Sequence, residues 1–255
     1  MRKEYLYITI AAIFWGTITV GGKFFADLGL SLYEISVYRA LSVSLITLCI
    51  ILYKRKYFIK KSMVPFFLIY GLLGALLDLT SFAGIVLGVS VAIVSLLIYS
   101  QPIWTTIFSR FMLGEKITKS KIIAIIVALA GVLFLLRIWD VGTIGSLAGV
   151  ICAVLGGIFL SLWVVWAKKS GIDNQHYITA MIGWSFFQFL WLLILWPLVS
   201  FFIHDQTISR LSFNVLGQYW YLFLLFASIS GILPYLFLQA ASRKCRRLSL
   251  VSYYS

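Results

Sequence analysis

The sequence predicts an all-α fold, a polytopic bundle of transmembrane helices arranged as two inverted five-helix repeats with the second incomplete. Three observations carry the prediction. Hydrophobic residues fill 62% of the 255 positions and charged residues 11%, too little charge to cover the surface of a soluble domain, and mean hydropathy is +1.02. The apolar residues fall in long runs broken by short polar stretches, and about 20 such residues in a helix cross a bilayer core of about 30 Å. Finally, stretches of the second half can be laid on the first by hydropathy, at an offset that grows along the chain across a longer loop, the mark of an internal repeat.

Eight complete spans are expected in order, over 5–26, 33–53, 63–87, 90–112, 119–137, 143–167, 177–203 and 217–241, with a ninth beginning near Leu248. The basic start, Met1-Arg2-Lys3, followed by an apolar run to about Phe25 without a small-residue cleavage site, reads as an uncleaved first span. Trp139 and Tyr177 fall at span ends, where aromatic rings anchor at the headgroups. The net charge of +13 would suggest nucleic acid for a soluble chain. Here the cations cluster between spans, so they report topology, and no nucleic-acid partner is expected. With the N-terminus inside, seventeen basic residues fall on the cytoplasmic side, among them Lys54, Arg55, Lys56, Arg110, Lys168, Lys169, Arg246 and Arg247. Only Arg137 and Arg210 fall outside. This predicts a multi-pass plasma-membrane protein with a cytoplasmic N-terminus.

The repeat aligns residues 17–39 with 162–184, so that Lys23 meets Lys168, and Leu87–Ser100 with Ser242–Ser255. Five spans separate the copies. Five is odd, so the second copy, 143–255, is inverted relative to the first, 1–137. Inverted repeats build a substrate path near the membrane midplane, at their interface.

Tyr99-Ser100-Gln101-Pro102 interrupts the fourth span. Proline removes a backbone hydrogen bond, and the freed carbonyl must face protein or a wet cavity. Pro234 marks a second break, in the eighth span. Asp78 lies near the middle of the third span, where a carboxylate costs roughly 2.5–3.5 kcal/mol to insert. It suits a proton relay or a cation contact, or else hydrogen-bonds to Thr80, Ser81 or a neighbouring helix. Arg39, about two turns into the second span, can hold an anionic group, pair with Glu34 or Asp27, or snorkel to the headgroups. Lys23 belongs to the surface, and Glu115 is expected to order its loop with Lys116 and Lys119. Trp15, Tyr99, Gln101, Trp163, Trp184, Gln188 and Tyr235 complete the substrate-path candidates, as aromatic and amide residues near the midplane. Gly84-x-x-x-Gly88 and Gly145-x-x-x-Gly149 read as close helix packing. Cys49, Cys152 and Cys245 show no metal spacing and read as small buried hydrophobes. No catalytic residue, metal or cofactor is expected.

These residues resemble the EamA family of the drug/metabolite transporter superfamily. Trp15-Gly16, Lys23, Gly29, Arg39, Tyr99-x-x-Pro102 and Leu113-Gly114-Glu115 follow that family's run in order and spacing, strongly over 5–137 and more weakly over 143–255. The resemblance implies ten spans in two inverted repeats and export or exchange of small metabolites. Against that pattern the chain reads as C-terminally truncated, a fragment or a truncated gene product. The glutamate of the first span in the related small multidrug resistance proteins has no counterpart after Glu4, so that route to proton coupling is not supported.

The expected function is secondary transport of amino acids, related compounds or drugs by alternating access, and no Walker-type loop is present to couple ATP. The expected partners are a small-molecule substrate, the bilayer and a second copy of the chain in a homodimer. The alternatives are an inactive transporter fragment or a polytopic membrane enzyme, against which stand a mere two histidines, His176 and His204, both at span ends, and a single mid-span carboxylate.

Overall fold

A computed structural model describes residues 3–136, 146–169 and 176–237, and every described regular element is helical. The order is α1 (Lys3–Asp27), α2 (Leu32–Tyr53), α3 (Val64–Val86), α4 (Val91–Ile98), α5 (Gln101–Leu113), α6 (Lys119–Leu136), α7 (Leu147–Lys169), α8 (Tyr177–Phe202), the short α9 (Gln206–Ser209), and α10 (Phe213–Phe226). Helix α10 runs into a π-helical stretch, Ala227–Ile232. Seven helical stretches, counting α4–α5 as one and α10 with its π stretch as another, are long and apolar enough to cross a membrane. The expected span at 119–137 falls on α6, an 18-residue helix that is not among these seven. The start of the ninth span, the repeat segment Ser242–Ser255 and Cys245 lie outside the described residues, as do Trp139 and Gly145.

Local chemistry sets the helix ends. Ser31 and Glu34 form a reciprocal capping box at the start of α2. Pro65 and Pro102 sit in the first turns of α3 and α5, where the missing N–H costs nothing. Gly114, at φ +68°, closes α5 in the left-handed region that a side chain would disfavour.

Helices α2, α3 and α8 form the centre of the bundle, and α3 also packs along α7. Close approach between them depends on glycine. A Cβ on Gly71 would lie 2.6 Å from the Phe187 backbone, and one on Gly74 would lie 2.7 Å from the Trp184 indole nitrogen. The two glycine pairs expected to pack give a different pairing. Gly84 faces Gly149 across α3 and α7, each Cβ position 3.2 Å from the other's carbonyl oxygen. Gly88 instead forms the α3–α4 turn at φ +87°.

Apolar side chains also cover the outside. Ile13, Val20 and Phe24 on α1, Leu45 and Leu52 on α2, and Ile123 and Val127 on α6 are exposed. A soluble fold would not present so much apolar surface, whereas a lipid-embedded bundle does. The cysteine expectation changes accordingly. Cys49 is exposed on this outer surface and Cys152 is half-buried.

Candidate functional site

The fourth expected span is two helices. Helix α4 ends at Ile98 and α5 starts at Gln101, because Pro102 offers no N–H to the Ile98 carbonyl. The break seats against α7. Gly157 lets it come close, since a Cβ there would lie 3.0–3.1 Å from the Leu97 and Ile98 carbonyl oxygens. Ser161 donates to the Gln101 carbonyl at 2.9 Å, and the Trp104 indole donates to the Ser100 hydroxyl at 3.2 Å. The exposed backbone is thus met by protein, as hydrocarbon requires.

Pro234 follows a second irregularity of a different kind. The expected break is a π-helical stretch, Ala227–Ile232, in which one wide turn absorbs the proline without separating the helix into two. Ser230 and Ser228 hydroxyls bond back to the Phe226 and Leu224 carbonyls.

A cavity of about 220 Å³ lies at this level. Eight of the eleven expected path residues line it: Trp15, Arg39, Asp78, Tyr99, Gln101, Trp163, Trp184 and Tyr235. Gln188 stands behind the wall, and Pro102 and Pro234 shape the helices that form it. The sequence reading missed Thr19, Ser81, Ser95 and Ser230, all in the lining. Small hydroxyls in apolar helices carry little signal, since they commonly satisfy themselves on the preceding turn. Thr19 and Ser95 are an exception, sharing a 2.9 Å hydrogen bond that ties α1 to α4.

Arg39 and Asp78 form a buried ion pair. Arg39 Nη2 donates to Asp78 Oδ1 at 2.6 Å and also to Oδ2, and Nε donates to Oδ2 at 3.2 Å. Gln188 Nε2 donates to Asp78 Oδ2 at 2.7 Å and to the Gly74 carbonyl at 3.3 Å. The guanidinium also lies over the Trp184 ring, 5.9 Å from its centroid. The sequence expectations for Arg39 are corrected here. Arg39 does not reach the surface to snorkel or to meet Glu34 or Asp27, because Asp78 stands at its depth on the next helix. Of the partners expected for Asp78, the neighbouring helices, α2 and α8, supply the observed ones, while the Thr80 hydroxyl bonds the Leu76 and Leu77 carbonyls and Ser81 has no hydrogen-bond partner. Asp27 instead pairs with Lys23 one turn away at 2.6 Å.

Aromatic rings form the remaining wall. Trp163 stacks on Tyr70 at 4.5 Å, while Trp184 and Tyr235 approach within 5.8 Å. Trp15 meets Tyr235 edge-on at 5.9 Å. The indole nitrogens of Trp163 and Trp184 are buried without a hydrogen-bond partner.

Two further charge clusters lie at the bundle's ends. Fully buried Glu34 accepts from Arg210 Nε (3.2 Å) and Nη2 (3.0 Å), and from the backbone of Ser31 (2.8 Å) and Ser212 (3.1 Å). The hydrogen bond to Glu34 holds the Arg210 guanidinium above its ordinary pKa. At the opposite end, half-buried Glu115 takes Lys168 and, at 3.1 Å, Lys121. It does not take the expected Lys116 and Lys119, because α7 brings Lys168 to it from a distant part of the chain. The Lys168 hydrogen bond, then that of Lys121, holds its carboxyl below the usual range. Among the described residues no group of three or more His, Cys, Asp or Glu side chains could hold a metal ion.

Comparison with known proteins places this arrangement. A protein of Clostridium kluyveri described as an uncharacterized transporter is 25% identical over 179 residues, which cover 66% of this chain and 57% of that relative. The chain therefore aligns with less than two thirds of the relative's length. The model of the EamA-like transporter family matches residues 2–137, more than half of the chain and every residue of the α1–α6 bundle that carries Arg39, Asp78 and the Pro102 break, and the protein belongs to that family.

Proposed function

We propose that the chain is a secondary transporter whose substrate path runs through the central cavity, moving small metabolites such as amino acids, related compounds or drugs by alternating access. The observation that carries this reading is the cavity itself. It combines a charge-paired Arg39–Asp78 wall, a cluster of indole and phenol rings, and two helical irregularities at one depth. Irregular backbone inside a membrane is tolerated where it lines a binding cavity. Asp78 becomes available to a proton or a ligand only when Arg39 releases it, so any coupling role would require the pair to open. The distribution of basic residues supports a plasma-membrane protein with its N-terminus in the cytoplasm. Self-association as a homodimer remains part of this proposal.

Counterflow in proteoliposomes tests it. The full chain, preloaded with an unlabelled mixture of amino acids, nucleosides and sugars, should accumulate one or more labelled members. Trp163→Ala and Asp78→Asn should abolish that accumulation. Accumulation unchanged in both variants, or turnover of a lipid without flux, would overturn the reading.

A further inference from the structure

One end of the cavity is covered by two layers, and four helices carry them in the same order. The lining includes Thr19 on α1, Arg39 on α2, Ser81 on α3 and Ser230 in the π stretch after α10. From each of these toward the end that holds Glu34, the chain next places a ring: Phe25 on α1, Tyr38 on α2, Phe82 on α3, and Phe226 then Phe223 on α10. All five are at most 8% exposed. Phe25 stacks on Phe223 at 4.2 Å, and Tyr38 meets Phe223 edge-on at 5.4 Å. Gly21 and Gly22 leave no room for a Cβ beside the Phe226 and Phe82 rings. The rings form a plug.

The loop between α8 and α10, 203–212, lies over that plug and reaches the α1–α2 turn. Arg210 donates to Glu34 through Nε at 3.2 Å and Nη2 at 3.0 Å, and Nη2 also donates to the Gly29 carbonyl. The Ser212 amide donates to Glu34 Oε1 at 3.1 Å, and the Ser31 hydroxyl donates to the Arg210 carbonyl. Tyr38 belongs to both layers, because its ring sits in the plug while its hydroxyl donates to the Ser212 carbonyl at 2.5 Å. The loop is braced in turn, since the Trp196 indole on α8 donates to the Ser209 carbonyl at 2.9 Å. The two halves of the Arg210–Glu34 pair differ. Glu34 is fixed by the capping box of α2 and is fully buried, whereas Arg210 is 40% exposed and can leave into water.

We propose, building on the transporter reading, that the 203–212 loop is a strap holding this end of the cavity shut, with the Arg210–Glu34 pair as its clasp. A solute passes at this end only when Arg210 lets go of Glu34 and the strap lifts, which frees the Tyr38 ring to leave the plug.

Thiol accessibility tests it on the full chain. Ile18→Cys places a reporter in the cavity lining, in a chain whose three native cysteines are changed to serine. Its modification by a charged methanethiosulfonate that does not cross lipid is timed in intact cells and in inverted vesicles. With the N-terminus in the cytoplasm the strap faces outward. Arg210→Ala and Glu34→Gln should each raise the rate in intact cells by about three- to tenfold and leave the rate in inverted vesicles unchanged. Should both variants fail to reach the membrane, Tyr38→Phe keeps the ring, removes one strap bond and should raise the rate about twofold. A rise confined to inverted vesicles supports the strap and reverses the orientation. Rates unchanged in every inserted variant overturn the proposal. So does an equal rise from both faces, which would mean that the whole bundle has loosened. If the variants open one face while no solute shows counterflow, the strap stands and the transporter reading falls. If counterflow depends on Trp163 while the strap variants alter neither labelling nor flux, the strap falls and the transporter reading stands.

Discussion

Asp78 and Glu115 are both carboxylates held by cations from other parts of the chain, yet they sit in opposite surroundings. Asp78 is 5% exposed in the centre of the bundle, with Arg39 and Gln188 on it. Glu115 lies at a helix end with 29% side-chain exposure, and its partners Lys121 and Lys168 are 44% and 61% exposed. Water and salt screen the second pair and leave it little to contribute. The first has no water to fall back on, so each member depends on the other. Glu34 falls between these limits, a fully buried carboxylate whose partner Arg210 is 40% exposed. A short N–O distance is therefore a poor guide to worth, and burial ranks the three.

The ranking can be broken by mutation, starting with the largest effect. Asp78→Ala strands the Arg39 guanidinium and should cost about 3–5 kcal/mol, read as a large fall in Tm or loss of the monodisperse species. The Asp78→Ala, Arg39→Leu double variant should regain part of that loss, and a double variant no better than the single one would show that the pair does not act as a unit. Glu34→Gln should cost about 1–3 kcal/mol, because four donors converge on this carboxylate. An effect as small as that of Glu115→Gln would erase the distinction between buried and exposed pairs. Gly157→Val pushes a side chain into the Leu97 and Ile98 carbonyls and should cost about 1–3 kcal/mol by overpacking, with flux affected more than stability if the α4–α5 break belongs to the path.

Glu115→Gln should lower Tm only slightly at neutral pH, the smallest effect of the series. Its carboxyl pKa is lower in the folded chain than in the unfolded one, so what it adds is fully present above the unfolded value. That contribution is lost as pH falls through the folded value. Wild type and variant should therefore converge in acid. A gap that widens as pH falls would contradict the assignment of Lys168 and Lys121 as its partners.

The helical class and the residues around the cavity were legible in the sequence for a plain reason. An apolar chain makes every mid-span polar or broken position conspicuous, and Asp78, Gln101 and Pro102 stand out on that ground alone. Partner choice was not legible. The position of Arg39 along α2 alone points to Glu34 and Asp27 in nearby sequence, whereas pairing depends on which neighbouring helix presents a group at the same level. Lys168 reaches Glu115 through the packing of α7 on α5, which no local spacing encodes. Pro234 signals an interruption without specifying that the chain accommodates it by a π stretch.

The buried pair also bears on how the chain enters a membrane during synthesis. Arg39 and Asp78 belong to consecutive helices, α2 and α3, and each alone costs roughly 2.5–3.5 kcal/mol at the centre of an inserting segment. Inserted one at a time, both segments would meet that penalty in full. Inserted as a hairpin, they present opposite charges to each other before α8 and Gln188 have been made. The order of the helices thus supplies Arg39 with its counter-ion at the first moment the ribosome allows, and a swap of α3 with any later helix would leave a bare cation waiting in the translocon.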